Sequence, residues 1–306
     1  MRWVTSSITV ITLVLNVAVL ITPASATSAV TYISNTGSDS NPCTAAQPCA
    51  TPSAALSNVG VGGQINCLDA PGWIFSSISV DKQVTIDCAG FYYATAANSG
   101  AFQISQNVII RNLTINGENI AYPAIKVNSG NLLVLENCTF LGIPTGPAID
   151  VEPNSPLTLV IRNSRILASG GGVLLKPAVG GIINAILDHV VISDGGGGIK
   201  TDSTNGVVNL DVTDTEIYNN SGNGINAVAG TIQNMVSIKN SVIAKNGVAG
   251  VQANGANAGV TLQSTLLDQN ASGATSVVGG GHIITYGNNS IVGSAGSGFT
   301  GSAPLQ

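Results

Sequence analysis

A phrase of about 25 residues recurs from roughly position 84 to position 292, and it limits the fold more than any other feature of the chain. Clear copies run from Arg111 to Ile115, Glu136 to Phe140, Arg162 to Ile166, Asp188 to Ile192, Thr213 to Ile217 and Lys239 to Ile243. Fainter copies run from Gln263 to Leu267 and from Gly287 to Ile291. The last apolar residue of each copy follows the one before by 24 to 26 residues. A fixed period in the twenties describes a solenoid, in which each repeat is one coil stacked on its neighbour. Length alone, at 306 residues, would allow two ordinary domains, but the unbroken repeat argues for one elongated domain.

Composition says what the coils are made of. Only 8% of residues are charged while 44% are hydrophobic, the reverse of a disordered chain. Val, Ile, Thr and Asn dominate the repeats, with many of the 37 glycines at the turns, which is strand and turn chemistry. A second phrase in each coil alternates apolar with mostly polar residues: Ala124 to Val127, Ala148 to Val151, Gly172 to Leu175, Gly198 to Thr201, Gly224 to Ala227 and Gly250 to Ala253. That alternation predicts a half-buried strand. Each coil therefore has at least two strands separated by Gly- and Asn-rich turns. The Asn column at 112, 137, 163, 240 and 288 predicts an amide ladder at a bend.

The first 26 residues read as a secretory signal. Arg2 supplies a positive n-region, Val10 to Ile21 is mostly apolar, and Ala24-Ser25-Ala26 is a small-residue cleavage site. No other stretch is apolar enough to span a bilayer, so the chain is expected to be secreted, periplasmic or held at the cell surface. The net charge of −5 and the lack of a basic stripe argue against nucleic acid as a partner. Five cysteines in an exported chain suggest disulfides. Cys43 and Cys49 bracket a short loop, and Cys67 and Cys88 sit about one coil apart in similar phrases. Stacked strands lie about 4.8 Å apart, a separation that a disulfide tolerates. Cys138 is left over and reads as a buried, inert thiol.

Residues 27–60 precede the repeat. Thr31 to Ser34 reads as a short strand, and Thr51-Pro52-Ser53-Ala54-Ala55-Leu56 as the start of a short helix, with Thr as N-cap and Pro in the first turn. The end of a solenoid exposes an apolar cross-section and open strand edges, and this helix is positioned to cover them. Residues 61–292 are expected to form the solenoid itself. Residues 293–306 are a Gly/Ser-rich tail that either stays flexible or covers the last coil.

The opening Tyr32-Ile33-Ser34, Gly37-Ser38-Asp39-Ser40-Asn41-Pro42, Pro48-Cys49-Ala50-Thr51 and Ala54-Ala55-Leu56, followed by coils carrying Asn-Ser/Thr-x-Ile, resembles secreted right-handed parallel β-helix proteins of the pectin-lyase-like group. The resemblance spans nearly the whole mature chain. It implies an all-β, right-handed parallel β-helix of about nine coils, a rod of roughly 45 Å. It does not choose among the group's lyases, hydrolases, esterases, epimerases and adhesins.

On such a rod each outward position becomes a column, one residue per coil. The second phrase yields one column of Gln103, Lys126, Asp150, Leu174, Lys200, Asn226 and Gln252, and another of Ser105, Asn128, Glu152, Lys176, Asp202, Val228 and Asn254. Together they place Lys126, Asp150, Glu152, Lys176, Lys200 and Asp202 on one face, a concentration in so uncharged a chain. Two readings compete. One is a polysaccharide groove, with Asp150, Glu152, Lys200 and Asp202 as candidate acid/base groups and Ca²⁺ as a possible cofactor if the protein is a lyase. The other is a solvated ladder of ion pairs worth little energy each. Arg111, Glu136, Arg162 and Asp188 form a second column of alternating sign, which reads as structural.

Catalytic signatures are thin. Asp188-His189 and Ile192-Ser193-Asp194-Gly195 are similar to a segment of pectate lyases, but the tryptophan expected just upstream is absent and no arginine follows Arg165. The hydrolase pattern of the group is missing too: there is no Asn-Thr-Asp, no Asp-Asp pair and no Gly-His-Gly. Two histidines and no Gly-x-Ser-x-Gly give no nucleophilic triad, and no Cys/His spacing suggests zinc. His282 reads as a surface or turn residue. Phe91 and Phe102 read as core, while Trp73, Tyr92 and Tyr93 are candidate exposed platforms for sugar rings. The expectation is a secreted protein that presents a flat face to an extracellular or cell-wall polysaccharide. The alternatives are a lyase or hydrolase acting on an acidic polysaccharide, and a structural or adhesive rod.

Overall fold

A computed structural model describes residues 28–69, 73–75, 77–95, 101–117 and 123–304, with the side chains of 73–75 and 90–95 excepted. The signal segment, Tyr122 and the side chains of Trp73, Phe91, Tyr92 and Tyr93 lie outside the described residues.

The chain is a right-handed parallel β-helix. Most coils carry three strands, one more than the sequence phrases show separately. In the coil around Arg162 these are Pro156–Arg162, Arg165–Leu167 and Gly171–Leu175. Stacked coil on coil, strands like Gly171–Leu175 form a nine-stranded sheet from Ile78–Val80 to Gly273–Val278. The long strands and the three-residue strands stack separately in most coils. They join into one 20-stranded sheet through Val84–Thr95 and Val108–Asn116, each of which continues as one strand through the bend between them. Every strand pairing is parallel, because each coil returns to the same starting edge.

The recurring Asn phrase is the bend itself. Asn112, Asn137, Asn163, His189, Asp214, Asn240 and Ser264 all have φ between 48° and 60°. This left-handed region is one that Asn and Asp enter at low cost. A second left-handed column, Ala168, Asp194, Asn219, Lys245 and Gln269, closes the short strand on its other side. The column is therefore chosen first for backbone conformation. Its side chains link only in places: Asn137 Nδ2 donates to Asn112 Oδ1 at 2.7 Å, and Asn288 Nδ2 donates to Ser264 Oγ at 2.8 Å. The continuous amide ladder lies elsewhere and is buried. Asn220 Nδ2 donates to Asn246 Oδ1 at 3.1 Å, and Asn246 Nδ2 donates to Asn270 Oδ1 at 2.9 Å. The same amides also cap main-chain carbonyls of Ile192, Ile217 and Ile243.

The core is built from columns of like residues. Phe102, Ile125, Ile149, Val173, Ile199, Ile225 and Val251 stack in one inward column, each at most 2% exposed. Stacking this close demands small residues at some positions. A Cβ on Gly198 would meet the Gly224 carbonyl oxygen at 2.2 Å, so only glycine fits there.

Both ends are covered. Helix Pro52–Asn58 has Thr51 as N-cap, whose hydroxyl accepts from the Ala54 amide, and it buries Pro52, Ala55 and Leu56 against the first coil. Asp39 braces the cap by accepting from the Ala50 and Thr51 amides and the Thr51 hydroxyl. At the far end the Gly/Ser-rich segment is not a free tail. Ala274 and Thr275 amides donate to Ser294 and Ala295 carbonyls, Phe299 packs on the core, and Gly301–Ser302 pairs with His282–Thr285. Disulfides join Cys43 to Cys49 and Cys67 to Cys88, with Cα atoms 4.6 and 4.7 Å apart. Cys138 is free and buried, and burial pushes its thiol up to about 11. Phe102 is core and His282 is exposed. Among the described residues no helix is long and apolar enough to cross a membrane.

The buried ladder yields a stability test. Asn246→Ala removes both the acceptor used by Asn220 and a donor used by Asn270 and Ile217. Leaving such groups unsatisfied costs about 1–3 kcal/mol each. Urea unfolding should show a loss of at least about 2 kcal/mol, whereas Asn288→Ala, at an exposed bend, should cost far less.

Candidate functional site

The nine-stranded sheet carries the charged face. Backbone pairing places Gln103, Lys126, Asp150, Leu174, Lys200, Asn226 and Gln252 side by side on successive coils, with Ser79 and Ser276 beyond them. Asp202, Val228 and Asn254 continue the neighbouring column. All six charged candidates therefore share one face because the period-2 strand pattern repeats in register.

These charges are largely engaged with each other. Lys126 Nζ donates to Asp150 Oδ2 at 2.7 Å and to Glu152 Oε2 at 2.5 Å. Burial pulls the Lys126 ammonium down, but the two carboxylates outweigh it and hold the group above its usual range. Burial pushes Asp150 up, only partly offset by Lys126, and its Oδ1 is enclosed with no protein partner. At Asp202 burial also pushes upward, but the Thr204 hydroxyl and amide, both donating to Oδ1, outweigh it and hold the carboxylate below its usual range. Lys200 lies 3.7 Å from Asp202, and its side chain is half exposed.

This arrangement limits the chemistry. Asp150 and Glu152 accept from one ammonium, so their accepting oxygens lie no more than about 5 Å apart, closer than the pair of an inverting glycosidase. The Lys126 ammonium, however, fills the space where a reacting carbon would sit. As a general base Lys126 would have to be neutral near pH 7, and its shift runs the opposite way.

Beside the charged cluster lies a shallow trough that the sequence phrases did not single out. It has a volume of about 290 Å³, near the lower end for a small-molecule site. Its floor is the glycine-rich backbone at 170–172 and 196–198, flanked by Leu174, Lys200, Asn223 and Asn226. Most of these glycines are forced by stacking, but two are not. A Cβ on Gly171 would meet nothing closer than 3.5 Å, and on Gly197 nothing closer than 3.7 Å, with no left-handed backbone at either. Packing allows a side chain there, and its absence keeps the trough open. The glycine run at 195–198 was the available signal, and its register relative to Lys200 needed the coil geometry.

The alternating column behaves differently from a ladder of ion pairs. Arg111, Glu136, Arg162 and Asp188 are in register. Only Arg111 and Glu136 pair among them, at 3.0 Å, while Asp188 Oδ1 lies 2.7 Å from His189 Nδ1. Asp188, His189 and Asp214 bring one ligand atom each within 4.8 Å of one another, in a part-exposed group.

The Lys126 cluster makes a prediction with a defined pH window. Lys126→Met leaves Asp150 ionised in a half-buried position without its main counter-ion. The loss should fall between the value for an exposed pair and that for a buried one, about 1–3 kcal/mol. Asp150, raised when folded, is neutral and costs nothing below its pKa, and Lys126, raised when folded, stops contributing above its own. Denaturant titrations of both proteins should therefore differ most between those two pKa values. The gap should shrink as pH falls through that of Asp150.

A family profile described as the right handed beta helix region matches residues 124–291. No curated protein sequence gives a significant match. Among solved structures, a rhamnogalacturonan lyase superposes with a TM-score of 0.59 at 13% identity, covering 78% of this chain and 74% of that one. A polygalacturonase from Erwinia carotovora ssp. carotovora superposes at 0.52 and 15% identity, covering 84% and 97%. At such identity the likeness is one of fold. With more than half its length matched by the profile, the chain belongs to the right-handed β-helix family.

Proposed function

We propose that the nine-stranded face binds an extracellular carbohydrate chain without cleaving it. The observation that carries this reading is the trough floored by Gly171 and Gly197, kept free of side chains where packing does not require it. A sugar offers apolar C–H faces and a rim of hydroxyls. Leu174 supplies an apolar platform in the outward column, and Asn223, Asn226 and Lys200 supply amides and an ammonium around it. The half-exposed Lys200 suits a polymer carrying occasional carboxylates. Two disulfides suit an oxidising compartment outside the cytosol.

Cleavage of an acidic polysaccharide, by elimination or by hydrolysis, is the second reading. It is favoured by the closeness of Asp150 and Glu152 and by the names of the similar structures, a rhamnogalacturonan lyase and a polygalacturonase. The ammonium between the carboxylates weighs against it.

The test is affinity electrophoresis against uronic-acid and neutral polysaccharides, alongside assays for unsaturated products and reducing ends, with and without Ca²⁺. Binding without product is expected, and Gly197→Leu should weaken it by at least about tenfold, or 1.4 kcal/mol, with unchanged melting. Retardation that survives Gly197→Leu would remove the trough from the site. Product formation abolished by Asp150→Ala would establish the enzyme instead.

A further inference from the structure

The long strands carry an outward feature that the proposed carbohydrate face does not use. Ile109, Val134, Val160 and Ile186 lie in register on four successive coils. They alternate with the inward residues of their strands, so they point out of the rod; Ile109 and Val134 are half-buried, and Val160 is only 9% exposed. Ile186 is 41% exposed. A sheet with one solvated face normally places polar residues outward, so four β-branched aliphatics in a row mark an apolar strip on the outer face, most open at Ile186. The strip ends at Thr85 on one side and Asp211 on the other.

Two residues further along the same strands runs the column Arg111, Glu136, Arg162 and Asp188. Over these four coils the charges read plus, minus, plus, minus. Reversed, the order is minus, plus, minus, plus. The column is therefore complementary to itself under a two-fold axis parallel to the strands that passes between Val134 and Val160. Under that operation Arg111 of one copy faces Asp188 of the second, and Glu136 faces Arg162. The aliphatic strip meets itself at the same time, Ile109 against Ile186 and Val134 against Val160. Arg162 has no ion-pair partner among the described residues, although it stands between Glu136 and Asp188.

We infer that this face joins two copies of the chain in an antiparallel, face-to-face homodimer. The neighbouring coils agree with it. Asp211 comes opposite Thr85, Asp87 opposite Thr213 and Lys239 opposite Asn66, so no like charges meet. Eight coils overlap, which at about 4.8 Å per coil and about 20 Å of strand is roughly 750 Å² per copy. A stable interface needs about 800 Å² per partner. An isologous contact closes on itself and leaves both nine-stranded faces outside the contact.

Analytical ultracentrifugation of the purified chain tests this. The wild type should sediment as a dimer. In Arg162→Glu the introduced carboxylate faces Glu136 of the second copy, and in Glu136→Arg the introduced guanidinium faces Arg162. Each variant alone should therefore be a folded monomer, with a melting temperature lowered modestly by the like charges it sets on neighbouring coils. Mixing the two variants should restore the dimer, because every facing pair is then opposite in sign. A wild type that stays monomeric across concentration overturns the inference. So does a dimer that survives either single change, or monomeric variants that fail to pair when mixed.

Discussion

The coil-to-coil register of the parallel backbone hydrogen bonds is the constraint on which everything else in this rod depends. Each strand pairs with the equivalent strand one turn away, so a residue meets its own counterpart. Slipping by one residue would turn every inward side chain out. The inward columns hold that register by apolar burial and the bends hold it by left-handed residues. The buried Asn220–Asn246–Asn270 ladder adds hydrogen bonds that work only in register.

Because columns are the unit, chemistry on this fold is a property of neighbours about 25 residues apart. Lys126, Asp150 and Glu152 form one cluster for that reason, with one ammonium held between two carboxylates. The trough arises the same way. Gly171 and Gly197 fall beside each other on adjacent coils and leave a gap that neither would open alone. The alternating charges of the long strands follow the same rule, yet only Arg111 and Glu136 meet within one chain. Columns of side chains of unequal length need not pair, even when the backbone aligns them.

Much of this was legible in the residues. The period, the alternating second phrase, the capping helix with Thr51 and Pro52, and the partners of four cysteines all follow from local chemistry repeated at fixed spacing. The Asn column was legible as a bend but not as to cause: the left-handed backbone explains His189, Asp214 and Ser264 in the same column, where an amide ladder does not. The buried ladder was missed because Asn220, Asn246 and Asn270 sit in turns whose inward direction no periodicity reports. The C-terminal segment was ambiguous because its Gly and Ser residues have no pattern, and only contact with the last coil orders it.

The sequence by itself determined the solenoid, its handed family resemblance, its coil length and the membership of its columns, because each rests on spacing along the chain. The tertiary structure decided which members of a column touch, which glycines are forced by stacking and which leave room, and which amides are enclosed. Those outcomes depend on side-chain reach and on the path of the turns between coils, and both are settled only when one coil is laid on the next.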